Sequence, residues 1–352
     1  MKVVTAYCSE LVRTALAGWN RFWFSPADPA TLGAVRICAG LMLFYTHLVW
    51  SLDLPDFFGP HSWVSPAAAK AYLVSPDAAK AGLDDSYSWS YLWLVDSPLA
   101  LWALHIAGLA VFALLTVGLF TQVVKFLAPI VAISYVNRVP GALFGLDQIN
   151  VMLALYLMVG PAGDAWSLDR RWAARRRGQP LPIVASVGAN LSTRLIQVHM
   201  AIIYFFAGLS KMQGLSWWEG SALWGAFANL EYQSLDMTWT AGWPILVALM
   251  TQFTAWWELA FPVFVWPRLT RPLVLAFAIP LHLGIAIFLG MITFGLVMLI
   301  GCLAFVPPEW IRYLAALRQG RGGQGGNTQE AGTATAGTRR RASGSEQPAA
   351  SR

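Results

Sequence analysis

Lys211 is a lone lysine at the end of a long apolar run, and it is the side chain in this sequence with the clearest capacity for chemistry. The run passes Tyr204 and Gly208 and continues beyond Lys211 to Trp218. A lysine is costly to hold in hydrocarbon, so it is either an ammonium that reaches the lipid headgroups or a group with a chemical task. An amine kept neutral by its surroundings can accept a proton as a general base. The position of Lys211 in the sequence leaves both interpretations open.

Two further features lie in the same apolar surroundings. The spacing i, i+4, i+7 predicts that Tyr204, Gly208 and Lys211 share one stripe of a helix, where the glycine allows close approach of another helix or of a flat ligand. His282 lies deep in a later apolar segment, beside Pro280. A lone histidine of this kind is more often a satisfied core residue, although imidazole can also serve a buried substrate oxygen.

A second group of polar residues falls at the predicted outer ends of the apolar segments. Asp147 and Asn150 begin one segment, and Asn137 and His47 lie near the ends of two others. Ordinary helix capping and a turn explain most of these residues singly. Taken with Lys211, they predict a pocket for a flat apolar molecule with polar oxygens, reached from the lipid.

Glu258 is a carboxylate in the middle of an apolar segment, where it must be paired or protonated. Arg36 and His199 are its predicted partners. A structural ion pair is the first interpretation of this group. A proton relay or small transporter is the second, although it would need broken helices around a site in the middle of the membrane.

The composition indicates the class of protein in which these residues lie. The chain is 57% hydrophobic and 12% charged, which is incompatible with a soluble domain. Runs of about 20 apolar residues predict an all-α, polytopic helical membrane protein with about eight transmembrane helices in contact with lipid. The predicted spans are residues 32–52, 98–120, 122–139, 148–163, 192–211, 244–266, 271–288 and 291–308.

The basic residues predict the orientation of the chain. The net charge is +6, and the two main clusters lie at residues 170–177 and 339–341. With eight crossings, both clusters and both termini fall on the cytoplasmic side, as the positive-inside rule requires. Residues 53–97 and 212–243 then form outer caps. The clusters are topology signals and not a nucleic-acid footprint, and the expected location is a bacterial inner membrane.

The chain is predicted to have one transmembrane domain, residues 1–315, and a disordered basic cytoplasmic tail, residues 316–352. The tail is rich in small and polar residues and has almost no apolar side chains with which to form a core. The three cysteines have no paired spacing, so neither a disulfide framework nor a metal site is expected.

The residues around Lys211 belong to four stretches in which the chain resembles a known family. The family is that of the vitamin K-dependent gamma-carboxylases with the bacterial horizontally transferred transmembrane (HTTM) proteins. The stretches occur in the family's order and cover roughly residues 20–314. None is very specific alone, and together they identify the family. They are residues 25–36, 166–169, 197–220 and 282–310.

The resemblance implies a reaction. In the carboxylases a lysine base deprotonates vitamin K hydroquinone, which reacts with oxygen to give a strong base. That base removes a proton from the γ carbon of a protein glutamate, the carbanion captures carbon dioxide, and an epoxide is the other product. The resemblance thus implies vitamin K hydroquinone or a related quinone as cofactor, no metal, carbon–carbon lyase activity and a protein or peptide substrate on the outer face.

The resemblance also implies roles for individual residues. The family's catalytic lysine falls on Lys211, and His282 and Asn150 are the expected hydrogen-bonding partners in catalysis. The residues expected to contact the cofactor are Tyr204, Gly208, Asp147 and Trp218.

The sequence departs from the carboxylases in two places. Where they have an Asn-His pair, this chain has Asp147 and Asn150 with no histidine. The large lumenal region that helps the animal enzymes hold their glutamate-rich substrate has no counterpart after Trp310. The second departure favours the alternative of a non-catalytic lipid- or quinone-binding membrane component that assists a partner protein.

Overall fold

The structure is a computed structural model that describes residues 2–82 and 87–318. These residues form helices, and the one extended pairing among them is an antiparallel bridge between Ala27 and Ser186. The α-helices are α1 (Lys2–Phe24), α2 (Ala30–Trp50), α3 (Leu54–Phe58), α4 (Pro66–Tyr72), α5 (Pro76–Lys80), α6 (Pro98–Val117), α7 (Thr121–Arg138), α8 (Gly145–Val159), α9 (Leu168–Arg177), α10 (Val187–Lys211), α11 (Leu215–Trp218), α12 (Ala222–Phe227), α13 (Pro244–Phe264), α14 (Arg271–Phe288), α15 (Ile292–Leu303) and α16 (Pro308–Arg318). Short 3-10 helices occur at Ser51–Asp53, Tyr91–Leu94, Pro140–Ala142 and Thr238–Gly242.

Each of the eight apolar segments predicted from the sequence coincides with a helix: α2, α6, α7, α8, α10, α13, α14 and α15. The all-helical class and the membrane character are confirmed. By length and composition, four helical stretches of the described residues can cross a membrane, or up to five if the broken pair Ile292–Leu303 and Pro308–Leu317 is one span. The count of eight crossings and the cytoplasmic placement of both termini stay predictions. The four stretches are Ala30–Phe58, Pro98–Val117, Val187–Lys211 and Arg271–Phe288.

Two parts of the chain go beyond the sequence prediction. Helix α1 was not expected, because its residues are too polar to form an apolar run, and its side chains are exposed along most of its length. Its end is held to α10 by Asn190, whose amide donates to the backbone carbonyls of Phe22 and Trp23 at 2.8 and 2.9 Å. At the other end of the chain, α16 extends to Arg318. Residues 319–352, which make up nearly all of the predicted tail, lie outside the described residues.

The buried apolar side chains form two clusters. The first, called here the α10 core, joins α2, α8, α10, α13, α14 and α15 and includes Val35, Met200 and Phe261. The second, the α7 core, joins α2, α3, α6, α7 and α8, and includes Leu43, Tyr135 and Ala154. Helices α2 and α8 therefore contribute side chains to both clusters.

Arg36 fixes the loop after α8 against α2. Its guanidinium is fully buried and donates to the carbonyls of Ala162 at 3.0 Å and Trp166 at 2.9 Å. These carbonyls follow the end of α8, where no helical partner remains for them. A buried charge with good hydrogen bonds is stable in such a place, whereas an unpaired one is not.

Asp169 caps the start of α7 from the neighbouring helix α9. Its carboxylate accepts from the backbone N–H groups of Phe120 and Thr121, both at 2.8 Å, and from the Thr121 hydroxyl at 2.7 Å. Burial alone would raise the pKa of Asp169, but these hydrogen bonds, with the charge of Arg36, outweigh burial and leave the pKa below its usual value. The carboxylate is therefore the stabilising form in the folded protein.

We expect Asp169→Asn to destabilise the protein by about 1 kcal/mol at neutral pH, because the amide keeps one acceptor oxygen and loses the hydrogen bonds that the second carboxylate oxygen accepts. Because the folded-state pKa is lowered, the contribution is present above the unfolded pKa and is lost as the pH falls through the folded value. The gap between wild type and variant should shrink below about pH 4. Unfolding in one detergent at pH 7 and at about pH 2, below both the unfolded and the folded pKa, measures it.

Asp77→Asn is the matched control, because Asp77 is exposed in its pair with Lys80. It should leave stability within about 0.5 kcal/mol of wild type. A gap for Asp169→Asn that is the same at both pH values would contradict the capping role.

Candidate functional site

Gly208 brings the backbones of α10 and α13 into direct contact. A Cβ atom at this position would lie 2.7 Å from the backbone nitrogen of Leu259 and 3.0 Å from its Cα. Only a residue without a side chain fits there, as in other close helix pairs of membrane proteins. The contact sets Glu258 of α13 beside the end of α10.

Lys211 and Glu258 form an ion pair at this contact. The Lys211 Nζ donates to Glu258 Oε2 at 2.5 Å, and the two side chains are 20% and 10% exposed. The ammonium also lies 5.2 Å from the centre of the Trp217 ring, within the range of a cation–π interaction. Lys211 is therefore held by the protein and does not simply extend to the lipid headgroups.

The predicted partners of Glu258 were wrong. Arg36 is occupied by the carbonyls after α8, and Nδ1 of His199 lies 2.9 Å from the Tyr156 hydroxyl. Arg36 and His199 therefore each have a partner other than Glu258. The relay of Glu258, His199 and Arg36 is not assembled, which removes the geometric basis of the transporter interpretation.

Tyr204 and His282, two residues selected from the sequence, meet in the α10 core. The Tyr204 hydroxyl lies 2.6 Å from Nε2 of His282 and 3.3 Å from Sγ of Cys302. All three are buried, and the tyrosine ring stacks on Phe261 with ring centres 4.0 Å apart. Sequence analysis missed Cys302 because a cysteine in an apolar run carries no signal for a partner.

Two polar atoms around Tyr204 are buried and find no hydrogen-bond partner among the described residues. They are Nδ1 of His282 and Nε1 of Trp257. Trp257 is the neighbour of Glu258 and packs edge-on to Tyr204, with ring centres 5.2 Å apart. Buried polar groups are rarely left unpaired, and such exceptions point to a strained or functional site. This arrangement fits a ligand that has polar oxygens.

The residues expected at the outer ends of the helices have partners other than Lys211. Oδ2 of Asp147 accepts from the backbone N–H of Phe144 at 2.9 Å, which caps α8. The Asn137 amide donates to the carbonyl of Trp89 at 2.8 Å. His47 pairs through Nδ1 with the carbonyl of Leu43, one turn earlier in α2, at 2.8 Å. The contacts of these residues thus do not join them to Lys211 in one pocket.

Asn150 and Trp218 complete the predicted set. Asn150 is buried in α8, and its Oδ1 has no hydrogen-bond partner in the described part of the chain. Trp218 is half exposed in α11, and its indole N–H donates to the carbonyl of Met212 at 2.8 Å. The amide oxygen of Asn150 is therefore available to a ligand, whereas the indole N–H of Trp218 is used by the backbone.

A cavity of about 670 Å³ lies beside Asp147. Its wall includes the residues around Gly290, the break between α14 and α15, and Glu231 from the segment between α12 and α13. Aromatic side chains supply much of the remainder of the wall. They are Trp50, Phe57, Phe58, Phe144, Tyr232 and Phe294.

Comparison with known families assigns this part of the chain. Residues 148–310 match the family model of the HTTM domain. The chain carries an HTTM domain. The matched residues include Tyr204, Lys211, Glu258 and His282, so the HTTM domain contains the ion pair and the tyrosine–histidine contact. Comparison with curated proteins and with solved structures gives no match. The predicted HTTM domain is confirmed over residues 148–310, and the likeness to the carboxylases stays a prediction.

We expect Gly208→Ala to push α10 away from α13, because the new methyl group meets backbone atoms that cannot rotate aside. The cost should be about 1–3 kcal/mol, as for other overpacked sites. Unfolding of the purified protein in detergent measures it. Gly18→Ala in α1 is the control, since its Cβ would meet no atom within 4 Å, and this change should be neutral or stabilising. Equal effects of the two changes would contradict the close contact.

The ion pair predicts that substitutions at Lys211 and Glu258 have non-additive effects on the free energy of unfolding. Lys211→Met and Glu258→Gln should each cost about 2–3 kcal/mol, because each leaves a mostly buried group without its partner. The double variant should cost clearly less than the two single changes together. The free energy of unfolding is measured for the wild type, both single variants and the double variant. Strictly additive losses of stability would argue against the ion pair.

Proposed function

We propose that this HTTM-domain protein is an integral membrane protein that binds a quinone-type cofactor and that Lys211 and Glu258 act together as its base. The observation that supports the proposal is the ion pair, in which Lys211 Nζ lies 2.5 Å from Glu258 Oε2. The stripe of α10 that ends at Lys211 also holds Tyr204, seven residues earlier, beside the unpaired Nδ1 of His282. A base and spare hydrogen-bonding groups are the minimum that such a cofactor requires.

The pair can accept one proton without leaving an isolated charge in the apolar core. Before the transfer, the ammonium of Lys211 and the carboxylate of Glu258 balance each other. When a bound hydroxyl loses its proton, Lys211 passes one of its own protons to Glu258 and takes up the proton of the hydroxyl, so one O–H and one N–H bond break and one N–H and one O–H bond form. The ammonium then remains beside the anion left on the ligand. Charge is thus conserved within a few ångströms, which limits the electrostatic cost in a low dielectric.

The other proposed site residues bind and orient the ligand. Nδ1 of His282 and Oδ1 of Asn150 are buried without partners in the described part of the chain, so they are available to ligand oxygens or hydroxyls. Tyr204 holds the other ring nitrogen of His282, which fixes the orientation of the imidazole. Trp218 would contact the cofactor through its ring, and Asp147 lines the aromatic cavity described above.

The resemblance to the carboxylases extends the proposal to a reaction. A reduced quinone of the vitamin K type would supply the chemistry that consumes oxygen, and carboxylation of a glutamate in a protein or peptide on the outer face would follow. The protein would span a bacterial inner membrane eight times with both termini in the cytoplasm, as the distribution of basic residues favours. In that orientation Lys211 lies at the outer end of α10.

Oxygen consumption by the purified full-length protein with reduced vitamin K tests the proposal. We expect uptake by the wild type and a loss of at least about 100-fold in Lys211→Ala, the usual range for a general base. Glu258→Gln should lower uptake as well, because the carboxylate is where the proton is finally held.

Lys125→Ala is the matched control. Lys125 lies in α7 and donates to the carbonyl of Gly160 at 3.1 Å, away from the residues proposed to bind the cofactor. Its removal should leave uptake unchanged. Uptake that is equal in wild type and Lys211→Ala would refute the role of Lys211 as a base.

One observation favours a second function, that of a non-catalytic component that binds a lipid or quinone and assists a partner protein. The Lys211 amine is already satisfied by Glu258 and Trp217, as expected for a structural residue. In that case the protein should retain a quinone through purification, show no oxygen uptake and co-purify with a partner.

A further inference from the structure

A second cavity, of about 780 Å³, lies at the other end of α10 from Lys211. Arg194 contributes to its wall and precedes Lys211 by 17 residues, which is about 25 Å of helix. Since α10 is one of the candidate spans, the cavity and the ion pair belong to opposite ends of a membrane crossing. The cavity is therefore separate from the site proposed above.

Three arginines face this cavity: Arg194, Arg268 and Arg271. Arg271 is fixed in place, because its Nε donates to the carbonyl of Val265 at 3.0 Å and one terminal nitrogen donates to that of Trp266 at 2.7 Å. The charges of Arg194 and Arg271 repel each other, and so do those of Arg271 and Arg268. Like charges gathered in one place are unfavourable unless an anion lies between them.

Arg194 is held ready to bind and is incompletely paired. Its guanidinium donates to Oε1 of Gln197 at 2.8 Å and lies over the ring of Phe22, 4.5 Å from the ring centre. Gln197 is itself fixed by a hydrogen bond to the carbonyl of Ala304 at 2.7 Å. The Nε of Arg194 is buried and has no hydrogen-bond partner among the described residues. A guanidinium of this kind retains donors for a bidentate acceptor.

The rest of the wall defines the kind of molecule that fits. Two carboxylates, Asp28 and Glu309, also face the cavity, so the three arginines leave an excess of positive charge. Oδ1 of Asp28 accepts from the backbone N–H of Ala30 at 2.8 Å, which commits part of that carboxylate to the fold. The remaining wall is largely apolar, and its volume is within the range of ordinary ligand sites. Its apolar side chains include Pro272, Leu275, Phe305, Val306, Pro307 and Trp310.

We propose that this cavity binds a phosphate group, carried either by an anionic phospholipid or by a soluble molecule. Arginine forks match the geometry of phosphate oxygens, and the oxygens would bridge guanidinium groups that otherwise repel each other. The apolar wall would receive the glycerol and upper acyl chain of a lipid. The site lies at headgroup depth if α10 crosses the bilayer, since about 25 Å of helix separates it from the opposite end.

Binding to the purified full-length protein in detergent tests the proposal, by titration calorimetry with three probes. They are short-chain phosphatidic acid, inorganic phosphate, and the matching diacylglycerol that has no phosphate. The variants are Arg194→Gln and Arg268→Gln, with Arg175→Gln as the charge-matched control on the exposed helix α9. Unfolding without a probe shows which variants fold. Should Arg194→Gln fail to fold, Arg268→Gln decides the question.

A phosphate site is supported if the wild type binds phosphatidic acid, the diacylglycerol does not bind, and each cavity variant weakens binding about tenfold or more while Arg175→Gln has no effect. Inorganic phosphate that binds equally well identifies the source as a soluble phosphate, and binding of phosphatidic acid alone identifies a lipid headgroup. The proposal is overturned if neither phosphate probe binds, if the diacylglycerol binds as well, or if Arg175→Gln weakens binding as much as the cavity variants.

Discussion

The architecture depends on one constraint: a charged or polar group in the apolar interior must find its partner within the protein. Arg36 meets this need by donating to carbonyls that follow the end of α8, and this bond attaches the next loop to α2. Arg138 does the same at the end of α7, where it donates to the carbonyls of Val64 and Gly59 at 2.9 and 2.8 Å. Each buried cation thus serves as a clamp between a helix and a segment distant in sequence.

The site around Lys211 follows from the same constraint at a closer helix contact. Gly208 permits the backbones of α10 and α13 to touch, and the contact sets Glu258 where it can neutralise the lysine. The hydroxyl of Tyr204 is shared with His282 and Cys302, yet Nδ1 of His282 is left unpaired. An interior that satisfies most of its polar groups and leaves a few adjacent ones free is suited to a polar ligand in an apolar setting. The few unsatisfied polar groups are thus the feature of the fold on which the proposed ligand binding depends.

The sequence predicted the helices better than the contacts between them. A membrane helix is specified by the length of its own apolar run. The break predicted between the spans 271–288 and 291–308 is present at Gly290, whose φ is +69°. Helix α1 escaped prediction because it has no such run. The partner of Glu258 could not be deduced, since it depends on which faces of α10 and α13 meet. The signal that was available is charge balance, because Lys211 and Glu258 carry opposite charges in two apolar segments of the same domain.

The position of α2 has a consequence for how the molecule assembles and comes apart. This helix contributes Val35 and Ala39 to the α10 core and Leu43 to the α7 core, so both clusters are built partly on it. It also precedes every other helix of both clusters in the chain. Helices that enter the membrane later would find a surface already present, and neither half could complete its packing without it. Weakening the packing of α2 would therefore disorder the α10 core and the α7 core together. Weakening the packing of α6 or α14 would first disorder only the cluster that contains that helix.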